Sequence, residues 1–190
     1  MIGDRARCGT FEEVATFHDS LQQARDDLDY EIDGIVLKRS WAGEIKNVSV
    51  LVAIGVDKDG FRRILGVQEG HKEDKSGWSG FLEHLKARGL KGVRLIISDA
   101  CMGLIESVAD YYPDADWQRC TVHFYRNVFS HVPRNKMREV AAMLKAIYAQ
   151  EKRESAEEKA EAVIATLRDM RLGKAAELVE AKIHQTLTYY

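Results

Sequence analysis

The chain of 190 residues is 45% hydrophobic and 31% charged with a net charge of −2, a composition that fits one packed domain and excludes a disordered chain. Its three cysteines are odd in number and widely spaced, which excludes a disulfide scaffold. No apolar stretch approaches the roughly 18 residues of a membrane-spanning helix, and the N-terminal region lacks the apolar block of a secretion signal, so we expect a cytoplasmic protein.

The N-terminal region predicts a helix followed by a connector. Thr10 and Glu13 have capping-box spacing at the start of a series of apolar residues with helical periodicity. The acidic run 26–29 then separates this helix from the first strand. We therefore expect residues 1–30 to form a helix and connector outside the main domain.

Short β-branched runs follow and predict three strands. They occupy residues 32–37, 48–56 and 61–67. Asp59 and Gly60 lie between the second and third runs and favour the left-handed conformations of a tight hairpin. That pair of strands should be antiparallel.

Helices and strands then alternate. The apolar spacing predicts a helix over 75–88, and the continuous apolar run 93–97 predicts a buried strand parallel to an earlier one. A helix over 102–112 ends at Pro113, and a short strand is predicted over 117–122. The predicted order is β-β-β-α-β-α-β.

The region after Pro133 has no strand signal. Ala, Glu, Lys, Leu and Met recur there at helical spacing. They predict three helices, roughly at 134–150, 155–171 and 174–188. We expect an α/β core over 31–132 and a helical region over 133–190.

Two carboxylates interrupt the apolar strands. Asp33 lies within the first predicted strand, and Asp99 directly follows the buried one. A carboxylate within a strand is costly unless it is hydrogen-bonded or coordinates a cation, so the pair indicates a Mg²⁺ or Mn²⁺ site. The alternative is that Asp33 faces solvent and Asp99 caps the helix beginning near Cys101. The residue pattern alone leaves both open.

A second group of polar and aromatic residues follows the last predicted strand. Cys120 and His123 could supply two zinc ligands, but zinc usually takes four and no second pair lies nearby. The alternative is a buried cysteine, with the histidine either hydrogen-bonded at a helix start or lying near the carboxylates and phosphates. Phe124, Tyr125 and Phe129 are interleaved with basic residues, a mixture that can stack bases but also packs a core, and we expect core packing for Phe129.

The net charge conceals a basic segment. Residues 118–145 contain six Lys or Arg and one acidic residue. Such a segment can bind nucleic-acid phosphates by displacing counterions, or it can solvate helix faces. Composition alone does not decide between these alternatives.

A family resemblance decides between them. It is carried by residues 33–43, 52–61, 89–99 and 117–127, and with the helical tail it covers 32–190. These stretches resemble the bacterial insertion-sequence transposases of the Mutator type, which carry a DDE catalytic triad on a ribonuclease-H-like fold. The resemblance implies a ribonuclease-H-like mixed sheet followed by an all-α insertion region.

The resemblance also implies roles for individual residues. Asp33 and Asp99 would be the first two acids of the triad, and Cys120 with His123 would be the CxxH feature that Mutator-like transposases share. In the intact enzyme two Mg²⁺ or Mn²⁺ ions would promote DNA strand cleavage and transfer, with Asp33 bridging both ions and Asp99 holding one.

Binding of DNA would fall to the basic segment. Arg119, Arg126 and Arg134 would neutralise the DNA backbone, and His123 would contact a phosphate near the site. The expected partners are the ends of the insertion sequence, the target DNA and further copies of the transposase in a homo-oligomer.

Two departures from the family pattern lead us to expect a fragment clipped at both ends that cleaves DNA poorly. The triad glutamate of the family follows an aromatic stretch much like 188–190, where this sequence stops, and residues 1–31 do not resemble the family's upstream DNA-binding region. We assign no catalytic role to Glu154, Glu157 or Glu177. The alternatives are a ribonuclease-H-like nuclease or resolvase whose third acid comes from a tail helix, and an inactive remnant that binds DNA or a partner.

Overall fold

The computed structural model describes residues 30–41, 44–56, 61–70 and 74–190. The expected N-terminal helix and the Asp59-Gly60 turn lie outside these residues. The strands of the described part are β1 (Tyr30–Trp41), β2 (Glu44–Val56), β3 (Arg62–Gly70), β4 (Leu95–Ser98) and β5 (Asp116–Arg119). The helices are α1 (Lys75–Ala87), α2 (Met102–Tyr111), α3 (Thr121–Phe129), α4 (Met137–Tyr148), α5 (Arg153–Asp169) and α6 (Gly173–Lys182).

The strands form one mixed sheet in the order β3-β2-β1-β4-β5. The pairs β1–β2 and β2–β3 are antiparallel, whereas β4 runs parallel to both of its neighbours, β1 and β5. The predicted order β-β-β-α-β-α-β, the antiparallel hairpin and the parallel buried strand are therefore confirmed. β4 therefore lies directly beside β1, which is the central strand of the sheet.

Helices α1 and α2 cover one face of the sheet. The Asp74 side chain caps α1 by accepting a hydrogen bond from the Gly77 amide at 3.0 Å, and Gly89, with φ of 97°, lies in the left-handed region just beyond the helix. The two helices approach closely at Gly103, where a Cβ would lie 2.6 Å from the Lys75 amide nitrogen. The core of this half comprises Ile32, Leu51, Ala53, Trp78, Phe81, Leu82, Leu85, Val93, Ile96, Leu104, Val108 and Tyr112.

Helices α3 to α6 form a second hydrophobic core. Short 3₁₀ turns, Arg134–Lys136 and Ile183–Thr186, lie before α4 and after α6. The large, fully buried side chains of this core are Phe124, Leu144, Ile147, Leu167, Ile183 and Leu187. None of the helices in the described part of the chain has the length and hydropathy of a bilayer span.

Several predicted boundaries differ from the structure. The first strand continues to Trp41, and the second begins at Glu44. The last strand ends at Arg119, because Cys120 marks the change from sheet to helix: its amide donates to Ser98 O at 2.7 Å, and its carbonyl accepts the first bond of α3, from the Phe124 amide, at 3.0 Å. Likewise, the last helix ends at Lys182. The 3₁₀ turn that follows is held where the Thr186 hydroxyl donates to Ile183 O at 2.7 Å.

Candidate active site

The two acidic positions predicted from the sequence meet through the β1–β4 pairing. Tyr30 is paired with Ile96 and Glu31 with Ile97 in parallel register. Two residues beyond this last pair, the chain places Asp33 on β1 and Asp99 just after β4. The backbone thus brings both acidic positions to the same level of the sheet, beside the carboxyl end of β4. The Asp33 side chain lies outside the described part of the structure.

Asp99 presents an exposed carboxylate at the end of β4. Its Oδ1 atom accepts a hydrogen bond from the Ala100 amide at 2.7 Å, and within the described ranges no hydrogen bond engages Oδ2. Cys101, not Asp99, is the N-cap residue of α2, and its side chain makes no capping bond. The interpretation of Asp99 as a helix cap is therefore wrong, and one carboxylate oxygen remains available to a ligand.

The oxygen chemistry of this position fits a hard divalent cation. Mg²⁺ and Mn²⁺ prefer carboxylate oxygens, and Asp99 offers one without having to break a hydrogen bond. Across the described residues, no cluster of three or more His, Cys, Asp and Glu side chains is arranged to hold a metal ion. A site shared by Asp33 and Asp99 would be a pair, smaller than such a cluster.

Two residues that the sequence analysis missed lie directly behind Asp99. The Trp117 indole Nε1 donates to Ser98 Oγ at 2.9 Å, and Ser98 Oγ donates to the backbone carbonyl of Asp99 at 2.8 Å. Ser98 is buried, although it is polar. A serine that ends an apolar strand immediately before an acidic residue was the available signal.

The predicted DNA-binding residues differ in exposure. Arg126 on α3 and Arg134 in the first 3₁₀ turn are exposed, and His123 is half-buried with its Nδ1 atom enclosed and without a hydrogen bond from the described residues. Arg119 is only 7% exposed; its Nη1 donates to Gln185 Oε1 at 3.5 Å, and its guanidinium carbon lies 6.0 Å from the centre of the Phe124 ring.

The aromatic residues of the basic segment pack into the helical core. Cys120 is buried, as are Phe124 and Tyr125, and Phe129 packs against the same core, so the packing interpretation of these aromatic residues is confirmed. Burial raises the pKa of the Tyr125 phenol well above its ordinary value. The buried rings of Phe124 and Tyr125 are therefore not available to stack on bases.

The glutamates of the nuclease alternative lie on the helices of the second core. Glu154 and Glu177 are exposed on α5 and α6. Glu157 accepts a hydrogen bond from Arg153 Nε at 3.0 Å and lies 3.5 Å from His184 Nδ1. The hydrogen bond from Arg153 is the main cause that lowers the pKa of Glu157, which is the behaviour of a surface ion pair.

Comparison with known proteins establishes the family. A family model described as "Transposase, Mutator family" matches residues 9–190. The chain belongs to the Mutator family of transposases. The family expected from the four sequence stretches is thus confirmed.

Individual relatives of this Mutator-family chain are insertion-sequence transposases. The transposase of ISRM5 from Rhizobium meliloti is 40% identical over 150 residues, which cover 78% of this chain and 37% of the relative. The transposase of IS1081 from Mycobacterium tuberculosis is 39% identical over 137 residues, 72% of this chain and 33% of the relative. The transposase of IS256 in Tn4001 from Staphylococcus aureus is 36% identical over 116 residues, which cover 61% of this chain and 30% of the relative. The chain spans about a third of the length of these relatives.

Proposed function

We propose that this chain supplies Asp33 and Asp99 to the metal-dependent catalytic centre of a DNA transposase. The observation that carries the proposal is the parallel β1–β4 register, which brings the two acidic positions to one level of the sheet. The mixed sheet, with an antiparallel three-stranded part and two further parallel strands, supports a ribonuclease-H-like fold. Membership of the Mutator family supports the same activity.

The proposed role of the two carboxylates is to fix divalent cations. Asp33 and Asp99 would together hold the ions, Asp99 through the oxygen that Ala100 leaves unused. When bound, such ions supply activation of water or of a 3′ hydroxyl for attack on a DNA phosphodiester. The chain's own contribution is to hold Asp33 within β1 and Asp99 at the end of the adjacent β4, whose backbone hydrogen bonds limit the movement of both positions.

The proposed DNA contacts come from the exposed members of the basic segment. Arg126 and Arg134 would bind backbone phosphates of the insertion-sequence ends and the target, and His123 would orient a phosphate beside the acidic pair. Arg119 is buried, so we propose that it acts through its positive charge rather than by direct contact. Transposition would require further copies of the enzyme in a homo-oligomer.

Titration with Mn²⁺, followed by electron paramagnetic resonance of the free ion, tests the metal site in the purified chain. We expect Asp33→Asn and Asp99→Asn each to weaken Mn²⁺ binding by about tenfold or more. Asp114→Asn is the matched control, because Asp114 is an exposed carboxylate in the loop before β5. Unchanged affinity in both variants, or an equal loss in the control, would overturn the metal site.

Binding of fluorescent duplex DNA at several salt concentrations tests the DNA contacts separately. We expect the double variant Arg126→Ala, Arg134→Ala to reduce the slope of log affinity against log salt by roughly 0.9 for each phosphate that is no longer neutralised. Lys174→Ala, an exposed cation on α6, should leave the slope unchanged. Asp33→Asn should retain DNA binding, and salt-independent binding of the unaltered chain would contradict the proposal.

A further inference from the structure

A continuous chain of hydrogen bonds connects β5 to the backbone of Asp99. The Trp117 indole can only donate, so Ser98 Oγ accepts its proton at 2.9 Å. The single hydroxyl proton of Ser98 is then directed to the Asp99 carbonyl, 2.8 Å away. Donor and acceptor capacities therefore match at every step, and no alternative direction is possible.

The register of the sheet explains why Trp117 can reach Ser98. Trp117 is paired with Ile96 on β4, and Ser98 lies two residues further along the same strand. Residues two apart on a strand share one face, so the two side chains are diagonal neighbours. Ile96 occupies the same face and belongs to the sheet core. Ser98 is only 1% exposed because its side chain points to this buried face.

Two further hydrogen bonds beside the Trp117–Ser98–Asp99 chain hold the end of β4. The Cys120 amide donates to Ser98 O at 2.7 Å, and the Ala100 amide donates to Asp99 Oδ1 at 2.7 Å. Together with the Ser98 hydroxyl, these bonds hold two consecutive carbonyl groups and one carboxylate oxygen. The peptide of Asp99 is thus held from the sheet, through Ser98 and Cys120, and its carboxylate is held by the adjacent Ala100 amide rather than by α2.

We infer that Trp117 and Ser98 are positioning residues, which fix the peptide of Asp99 so that its carboxylate meets a divalent cation in a constant geometry. This inference rests on the proposed function, in which Asp99 is a metal ligand. Metal sites need their ligands held within about 0.5 Å, and loss of the partners behind a ligand typically weakens metal binding by roughly 10- to 100-fold.

A purely structural role for the same bonds makes a different prediction. If Ser98 only satisfies buried polar groups, its removal should lower stability without changing metal affinity. Ser107 is the matched control, because it is 0% exposed and its hydroxyl bonds to Gly103 O at 2.7 Å and to Lys75 O at 3.2 Å, where α1 and α2 meet and not behind Asp99. Ser107→Ala therefore removes an equally buried hydroxyl away from the acidic residue.

The experiment compares the Mn²⁺ affinity of the purified chain and of Trp117→Phe, Ser98→Ala, Ser107→Ala and Asp99→Asn. We expect Trp117→Phe and Ser98→Ala each to weaken binding by about tenfold, and Ser107→Ala to stay within about twofold of the unaltered chain. Thermal unfolding of each variant records the loss of stability independently. Ser98→Thr, which keeps the hydroxyl, should restore most of the affinity.

The outcomes separate this inference from the proposed function. Unaltered affinity in Trp117→Phe and Ser98→Ala, together with weak binding in Asp99→Asn, would overturn the positioning role and leave the metal site intact. Unaltered affinity in Asp99→Asn would overturn both.

A readout without metal keeps the test decisive if Ser98→Ala does not fold. The amide resonance of Ala100 reports its hydrogen bond to Asp99 Oδ1. We expect this resonance to move in Trp117→Phe towards its position in Asp99→Asn, and to stay unchanged in Ser107→Ala. An unmoved Ala100 resonance in Trp117→Phe would count against the inference.

Discussion

The sheet half and the helical half of this chain bury their apolar residues in different ways. The sheet half packs α1 and α2 against one face of the sheet, whereas α3 to α6 enclose a core of their own. All the strongly exposed large apolar side chains of the described residues, Phe61, Ile64, Val67 and Met102, belong to the sheet half. The half that carries the acidic positions is therefore also the half with the more open apolar surface.

The two halves are joined at β5. The chain passes from Arg119 through Cys120 directly into α3, and the C-terminal segment returns to the same strand, where the Tyr189 amide donates to Gln118 Oε1 at 2.9 Å. This junction indicates that the helical half packs against one edge of the sheet, whereas both acidic positions of the proposed site lie in the sheet half. Variants that affect one half and not the other can test this separation.

The largest expected effect comes from opening a cavity in either core. Leu167→Ala in the helical core and Leu82→Ala in the sheet core both truncate fully buried leucines and should each cost about 2–5 kcal/mol of unfolding free energy. Hydrogen exchange should then increase mainly in α4 to α6 for Leu167→Ala and mainly in α1, α2 and β4 for Leu82→Ala. Equal acceleration throughout the chain in both variants would mean that the two halves unfold as one unit.

A smaller effect is expected where α1 and α2 touch. Gly103→Ala would bring a Cβ to 2.6 Å from backbone and should destabilise the sheet half by about 1–3 kcal/mol. Gly80→Ala is the matched control, since a Cβ there meets nothing within 4 Å, and it should stabilise α1 by about 0.5–1 kcal/mol. Urea unfolding measures both changes. Equal signs for the two variants would contradict the close packing of these helices.

The junction between the halves should respond to loss of a single hydrogen bond. Gln118→Ala removes the buried acceptor of the Tyr189 amide and should cost about 1–3 kcal/mol. Hydrogen exchange should increase at the C-terminal segment before it increases in α4 or α5. Unchanged protection of the Tyr189 amide would show that this bond does not hold the segment to the sheet.

The smallest expected effect is an acid dependence of the helical half. Arg153 lowers the pKa of Glu157 below its ordinary value of 4.5, so the stabilisation from this pair is present above that pH and is lost as the pH falls through the lowered pKa. The urea concentration at the unfolding midpoint should therefore fall less between about pH 6 and about pH 3 for Glu157→Gln than for the unaltered chain. Glu158→Gln, which removes an exposed carboxylate outside this pair, is the matched control.

The parts of the fold that the sequence predicts well are those with a local signal. Continuous apolar runs and helical spacing were enough to predict the order of strands and helices. Each element buries one face, and the spacing of its apolar residues follows from the geometry of a strand or a helix. The boundary at Cys120 could not be predicted, because Thr121 and Val122 have strand propensity, yet the Cys120 carbonyl already accepts the first hydrogen bond of α3 from the Phe124 amide.

The candidate site also combines residues that have a local sequence signal with residues that are defined only by tertiary contacts. Asp33 and Asp99 could be selected from the sequence because each is a carboxylate placed against an apolar strand. Trp117 could not, and Ser98 had only the weak signal of a polar residue that ends an apolar strand, because their relation depends on the β4–β5 register, which brings together residues 19 positions apart. Long-range register is set by the whole sheet and leaves no mark in a local window of sequence.

Cleavage of the polypeptide by bound Fe²⁺ tests the central claim most directly. With ascorbate and peroxide, iron in a Mg²⁺ site generates radicals that cut the nearest backbone. We predict cuts around both Asp33 and Asp99 that excess Mg²⁺ suppresses and that either Asp33→Asn or Asp99→Asn abolishes at both positions. Cuts at only one of the two strands, or cuts that persist in both variants, would contradict a shared metal site.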